Sequence, residues 1–442
     1  MAIQTLDDLQ KVYDDFLLLE DRNLVKLLCG VTIANQLPYF DAVWIMLVAP
    51  PSSGKTECLQ AFLSIIEPNS KKPMFCPIDD LTENTFASGQ IRVGEETSLL
   101  FKLPPTGGIL VFKDFTSILS KNEDARRILM GQLRGIYDNT YVKRTGNNKD
   151  VVWKGKIGAM GGCTEIIYEH LESLSAMGDR FAMYSPSQPD REEMGRFIMK
   201  AKRQRKNKDE SRNIIKDATK EYIEYILSDL SKQEITITEA AEDKILAIAD
   251  FCTRVRSGVI VNDKYKTVEF VPSKEMPGRM IEQLIALGTA FVAMRAQEPG
   301  QRMMREKNMP GADKHELSEN DLEVISKVAF DSIPIKRRIA LKLLAKHELG
   351  ATTAGLAIAT GYETAVVKGW LYQLNGLGIC DRIKKVGPQG DKWKLKQEFV
   401  DIMVRFQHIQ VQEGELIDTT EPQKDGIEDW DQFNEPKDAE IW

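Results

Sequence analysis

The sequence predicts an α/β chain: a three-layer αβα domain over residues 41–186, a helical segment over 187–297, and a basic module of three helices and a wing within 318–408. Three observations predict it. From 41 to 186, short apolar runs alternate with helical patterns, as a sheet covered by helices requires. One of these runs, Val43–Ala49, passes through Pro50-Pro51-Ser52-Ser53-Gly54-Lys55-Thr56 into the helical pattern Glu57–Leu63. Near the end, Ile335–His347, Ala354–Ala359 and Glu363–Asn375 carry helical spacing and precede two basic strands, 379–386 and 392–396.

A chain of 442 residues exceeds one core of ordinary size. With 42% hydrophobic and 28% charged residues it reads as globular, neither disordered nor membrane-embedded. No run of about 20 apolar residues is present to span a bilayer. The start, MAIQTLDDLQKVYDDF, is acidic and amphipathic where a signal peptide would be basic and then apolar, so a cytoplasmic location is expected. Six scattered Cys without a C-x-x-C, and only four His, indicate neither a disulfide framework nor a zinc site.

Residues 1–40 read as helices, with apolar spacing in Leu17, Leu18, Leu24, Leu27 and Leu28. Pro299-Gly300 and Pro310-Gly311 mark 298–317 as a linker. The run Lys200–Lys208 extends a helix as a solvated basic face. The net charge of −7 conceals a division. Val411–Trp442 holds eleven acids against two Lys, and Ser332–Gln410 holds thirteen Lys or Arg against six acids. The basic stretch suits a polyanion, whereas the tail 409–442 is too polar to offset its ordering entropy and is expected to be disordered.

Strand, tight loop, G-K-T and helix form the context of a phosphate-binding loop. Backbone N–H groups of Ala49, Ser52, Ser53 and Gly54 and the start of the helix offer donors and partial positive charge to phosphates, with Pro50 and Pro51 shaping the turn and Glu57 following it. Lys55 would neutralise the β- and γ-phosphates of ATP, and the Thr56 hydroxyl would hold Mg²⁺. Ala49 replaces the motif's first Gly, which a negative φ there tolerates. Gly107–Phe115 ends an apolar strand in Lys113-Asp114 rather than Asp-Glu. Asp114 is the candidate carboxylate for metal or water, and Lys113 leaves Mg²⁺ to Thr56, phosphate oxygens and water. Thr164 ends a strand rich in small residues and could approach the γ-phosphate. Arg180, at the edge of the strand Phe181–Tyr184, could reach the nucleotide of a neighbouring subunit.

Together these elements resemble AAA+ ATPases, and within them the branch of minichromosome maintenance helicases and their phage and mobile-element relatives. The likeness covers about residues 40–300. Gly108–Phe115 looks like the Walker B strand, with Lys113 in place of its Asp and Asp114 in place of its Glu. Met177-Gly-Asp-Arg180-Phe181 is similar to the arginine-finger motif, and Pro277-Gly-Arg279 opens a stretch similar to the sensor-2 helix, while Thr164 stands where sensor 1 is often Asn. The resemblance implies a P-loop αβα core with a helical lid, ATP and Mg²⁺ as cofactors, a hexameric ring, and nucleotide reached in trans by Arg180 and Arg279.

It also gives a role to Tyr141–Lys154, which alternates around Gly146-Asn147-Asn148 as a β-hairpin does. In that family such a hairpin grips DNA in the central channel. Here Lys149 would stand at the tip, with Lys143, Arg144 and Lys154 below, unless the hairpin is an ordinary exposed one. The C-terminal module resembles a winged helix-turn-helix. Its third helix offers Lys368 to a groove and its wing offers Arg382, Lys384 and Lys385 to phosphates, although winged helices also bind proteins. Trp430, Phe433 and Trp442 could anchor the acidic tail on a protein partner or on the chain's own DNA surface. The expected function is an ATP-driven DNA helicase or translocase. The alternative is an ATP-dependent DNA-binding switch, an initiator or transcription regulator, with little turnover.

Overall fold

The computed structural model describes residues 2–67, 70–82, 85–86, 98–144, 150–170, 180–203, 207–230, 235–262, 267–307, 316–347, 349–384, 391–406 and 408. Its centre is a five-stranded sheet in the order β2-β3-β6-β1-β7, with every pair parallel. The strands are β1 (Trp44–Val48), β2 (Phe75–Ile78), β3 (Thr106–Phe112), β4 (Thr140–Lys143), β5 (Val151–Lys154), β6 (Lys156–Cys163) and β7 (Ala182–Tyr184), with β4 and β5 forming a separate antiparallel hairpin. The helices among them are α1 (Leu6–Phe16), α2 (Asn23–Gln36), α3 (Lys55–Gln60), α4 (Leu99–Lys102), α5 (Thr116–Leu119) and α6 (Glu123–Tyr137).

β1 is apolar on both faces, as a covered parallel strand must be. Val43, Ile45 and Leu47 enter one core with Ile109, Val111 and Met160. Trp44, Met46 and Val48 enter the other with Leu110, Phe112, Ala159 and the α6 residues Leu129 and Leu133. The α/β class therefore holds.

An open sheet has two faces to cover, and on one of them α3 is joined by helices from outside 41–186. α2 lies directly on the sheet. The Asn35 side chain accepts from Val43 N and donates to Val43 O, both at 3.0 Å. A Cβ at Gly158 would fall 2.3 Å from the Asn35 amide, so the approach needs glycine there. Lys156 Nζ donates to Leu37 O (2.7 Å) and Ala34 O (3.3 Å), closing the carboxyl end of α2. Burial pulls this ammonium down to about 8.

Downstream follow α7 (Arg191–Arg203), α8 (Lys208–Leu230), α9 (Glu239–Arg256), the hairpin β8 (Ile260–Asn262) and β9 (Thr267–Phe270), and α10 (Gly278–Ala296). α10 crosses α2 at Gly30, where a Cβ would sit 2.3 Å from the Phe291 ring. The expected linker 298–317 instead contains a helix, α11 (Pro299–Glu306). Proline in a first turn lacks only an N–H that has no helical partner there, so Pro299-Gly300 opens a helix rather than a loop. Arg302 ties α11 down by stacking 4.0 Å from the Tyr225 ring centroid.

α12 (Glu319–Asp331) starts with a capping box between Ser318 and Asp321. It flanks edge strand β7: Ser185 N donates to Asp331 Oδ2 (2.8 Å) and Met183 N to Ser332 Oγ (3.0 Å). This helix, grouped by sequence with the basic module, completes the cover of the central sheet.

The C-terminal part contains α13 (Ile335–Ala345), β10 (Ala351–Thr352), α14 (Thr353–Thr360), α15 (Thr364–Gly376), β11 (Cys380–Ile383), β12 (Lys392–Leu395) and α16 (Gln397–Arg405). The Thr352 hydroxyl accepts from Gly355 N at 3.1 Å, and Gly361 ends α14 with φ of 69°. β10 adds a third antiparallel strand to the expected pair. Arg337 fastens the module to the body, donating to Val255 O (2.6 Å) and Ser257 O (2.7 Å). The tail 409–442 lies outside the described residues. Among the described residues no helix is long and apolar enough to cross a membrane, and all six cysteines are free thiols.

Candidate functional site

β1 and its neighbour β6 send the chain in opposite directions, β1 toward the far edge strand β2 and β6 across to β7. The crevice beyond the carboxyl ends of two such strands is where open α/β sheets bind ligands. The turn Ala49–Gly54 occupies it. Ala49 N donates to Cys163 O at 3.2 Å, which ties the turn's base to β6. Ser52 and Gly54 both have positive φ, 65° and 83°, and Gly54 leads into α3. Pro51 and Ser52 are exposed, with Pro50 and Ser53 half-buried behind them.

Lys55 is buried beneath the turn. Its Nζ donates to Ala49 O (2.5 Å), Pro50 O (2.7 Å) and Ser53 Oγ (3.1 Å). Burial pulls the ammonium below its ordinary value, against the opposing charges of Asp114 and Glu165. Thr56 is exposed beside it. Glu57 faces α8, accepting from Arg212 Nε (2.7 Å) and Nη2 (2.6 Å), with Lys208 at 3.3 Å. The hydrogen bond from Arg212 holds this carboxyl below the usual range.

The ends of β3 and β6 complete the crevice. A Cβ at Gly162 would lie 3.2 Å from Lys113 O and 3.7 Å from Lys55 Cβ, so this strand end separates the two by one residue's width. Asp114 is exposed and accepts from Thr116 N at 2.9 Å. Lys113 turns to Asp79, 2.7 Å away, which balances the cation that replaces a carboxylate. Thr164 is half-buried and opens the 3₁₀ turn Glu165–His170, its carbonyl accepting from Ile167 N at 3.2 Å. Burial pushes the Glu165 carboxyl up, while Arg338 and Lys55 pull it down. Sequence reasoning missed Glu165, for which no motif position offers a signal.

The turn opens on a cleft of about 830 Å³. Its apolar wall comes from Phe16–Leu19, Met194, Phe197, Ile198 and Ile215, and its charged lining sets Lys200, Lys202, Lys208, Arg212 and Lys216 beside Asp14, Asp15 and Glu57. None of these wall residues was singled out for the site, because they converge from three distant segments. One signal was present: α7 buries no residue, yet carries Met194, Phe197 and Ile198 at helical spacing. The oxygen donors at hand, the Thr56 hydroxyl and the Asp114 carboxylate, suit a hard cation such as Mg²⁺.

Arg180 and Arg279 lie elsewhere. β7 runs parallel to β1, with Ile45 opposite Ala182, so Arg180, two residues before β7, falls at the amino end of the sheet, away from the turn. In the single chain Arg180 is held internally: its side chain is 2% exposed and paired with Asp138 at 2.7 Å. Its carbonyl accepts from Gln283 Nε2 at 2.8 Å, and its guanidinium lies 5.3 Å from the Tyr137 ring centroid. Arg279 is half-buried at the start of α10, and its charge acts on Arg180 and Tyr137. The rest of the finger motif, 177–179, lies outside the described residues.

The hairpin pairs Tyr141 with Trp153 on its inner face and Val142 with Val152 on its outer face. Lys143 is half-buried, Arg144 and Lys154 are exposed, and Lys149 lies outside the described residues. In the C-terminal module, Lys368 and Lys384 are exposed, and Lys385 is outside the described residues. Arg382 is engaged internally: Nε donates to Asp391 (2.7 Å), and the guanidinium lies 5.2 Å from the Tyr372 centroid. The outer face of α15 shows Thr364, Ala365, Val366 and Lys368, few of them able to read base edges. The chain matches no protein-family model and no curated protein.

Proposed function

We propose that the chain is an AAA+ ATPase of the minichromosome-maintenance-like branch, with a P-loop core, a helical lid over α7–α10 and a C-terminal winged helix. It acts in the cytoplasm as a motor on DNA, a hexameric ring as the resemblance implies: copies assemble around a strand, ATP is cleaved between neighbours, and the β4–β5 hairpins move along the strand. The observation that carries this reading is Lys55, buried under a strand-turn-helix that opens on a cleft with an apolar wall, five cations and three acids. ATP would set its phosphates against the turn, where Lys55 exchanges its bonds to Ala49 O and Pro50 O for phosphate oxygens. Mg²⁺ would be held by Thr56 and Asp114 and would neutralise phosphate charge. Asp114 would orient the attacking water, with Thr164 beside it.

Two observations favour the alternative, an ATP-dependent DNA-binding switch with little turnover: Lys113 stands where the family has a carboxylate, and Arg180 is held within its own chain. ATP hydrolysis with and without single-stranded DNA separates the two. The motor predicts turnover that DNA stimulates and that Lys55→Ala abolishes. Tight ATP and duplex binding with negligible turnover supports the switch, and no nucleotide binding at all removes both.

A further inference from the structure

Asp138 joins two features that are otherwise separate. It ends α6, its N–H donating to Arg134 O at 3.1 Å, and Asn139 and the hairpin strand β4 follow at once. Asn139 has φ of 60°, a left-handed conformation in which only about a few per cent of non-glycine residues are found. Its carbonyl accepts from Gly155 N at 3.2 Å, closing the root of the hairpin on the other strand. The Asp138 carboxylate meanwhile holds Arg180 Nη2 with both oxygens, at 2.7 and 2.8 Å.

The pair has a dry end and a wet end: the Arg180 side chain is 2% exposed and Asp138 is 51% exposed. Arg180 Nε is buried without a hydrogen-bond partner. Burial, Arg279 and Arg134 all press against the charge on this guanidinium, and Asp138 is the carboxylate that offsets them. A buried guanidinium that feels the charges of Arg279 and Arg134 and is bonded to one half-exposed carboxylate favours an incoming anion with more charge than that carboxylate, and a nucleotide phosphate is such an anion.

We propose that Asp138 is a latch: it retains Arg180 until a phosphate of nucleotide bound by a neighbouring copy displaces it, and that exchange shifts the root of the β4–β5 hairpin. The proposal rests on the motor reading above and adds to it a positioning residue that couples the nucleotide of one copy to the hairpin of the next.

The test is ATP hydrolysis by full-length wild type, Asp138→Asn and Asp138→Glu, each with and without a single-stranded oligonucleotide, together with separation of a forked duplex. Asp138→Asn should raise the DNA-free rate about tenfold, the effect of removing about 1.4 kcal/mol of competing ion-pair energy. Its stimulation by DNA should fall toward one, with fewer base pairs opened per ATP, and Asp138→Glu should restore the wild-type ratio. An Asp138→Asn protein with the wild-type DNA-free rate and ratio overturns the latch alone, whereas a wild type without turnover removes the motor and the latch with it. Should Asp138→Asn lose its cooperative melting, amide exchange across Thr140–Lys143 in wild type with forked DNA decides. Faster exchange with a non-hydrolysable ATP analogue than without it supports the latch, and equal rates overturn it.

Discussion

Lowering the pH from 7 to 5 should loosen the C-terminal helices through His408. Its ring stacks on Phe330 of α12 at 4.1 Å between centroids, and its Nε2 is buried without a hydrogen-bond partner. Burial pulls this imidazole down to about 4. Asp331 favours the proton, and Lys342, Lys327 and Arg338 oppose it. The unfolded chain takes a proton near pH 6.5 and the folded chain does not until about pH 4. Stability is therefore complete above about pH 6.5 and falls as the pH drops from there toward 4. Between pH 7 and 5 the difference amounts to about 2 kcal/mol, taking about 1.4 kcal/mol per pH interval over which only the unfolded state is protonated. His408→Phe keeps the stack and removes the titration. Urea unfolding of both proteins at both pH values measures the effect. Wild type should lose about 2 kcal/mol more than His408→Phe, and equal losses would refute the reasoning.

Three further substitutions probe the frame. Asp321 is fully buried with Lys26 at 2.8 Å and Arg295 beside it. Burial pushes its carboxyl up, but the two cations outweigh this and hold it below the usual range. Asp321→Asn leaves the buried Lys26 without its carboxylate and should cost about 3–5 kcal/mol in denaturant unfolding. Gly30→Ala forces a methyl onto the Phe291 ring and should cost about 1–3 kcal/mol, partly relieved by Phe291→Leu in the same chain. Gly54→Ala meets nothing closer than Leu19 Cδ2 at 3.8 Å, so its penalty is the backbone's, about 1–2 kcal/mol at a φ of 83°. The protein should melt cooperatively yet bind ATP several-fold more weakly.

Some of this architecture was legible because the signals are local. The apolar run of β1, the turn into α3, the Thr352 cap and the Gly361 stop each depend on neighbours within a few residues. Long-range partners left no such trace. That Arg180 is held by Asp138, 42 residues away, follows from the strand order, which brings the end of α6 beside the start of β7. The apolar wall of the cleft joins Leu17–Leu19 to Met194 and Phe197, segments with no shared pattern. Pro299-Gly300 misled because the same pair that ends a helix can also begin one. α2 and α12 read as belonging to flanking units, yet cover the sheet, since helical spacing announces an apolar face without naming what it meets.

Imaging the full-length protein at side-chain resolution with a non-hydrolysable ATP analogue and a forked DNA tests the central claim most directly. The account predicts a closed ring with ATP against Lys55 of one copy, Arg180 of the next released from Asp138 and turned toward its phosphates, and hairpins lining a channel that holds one strand. Single copies carrying nucleotide and DNA, each with Arg180 still on Asp138, would contradict it.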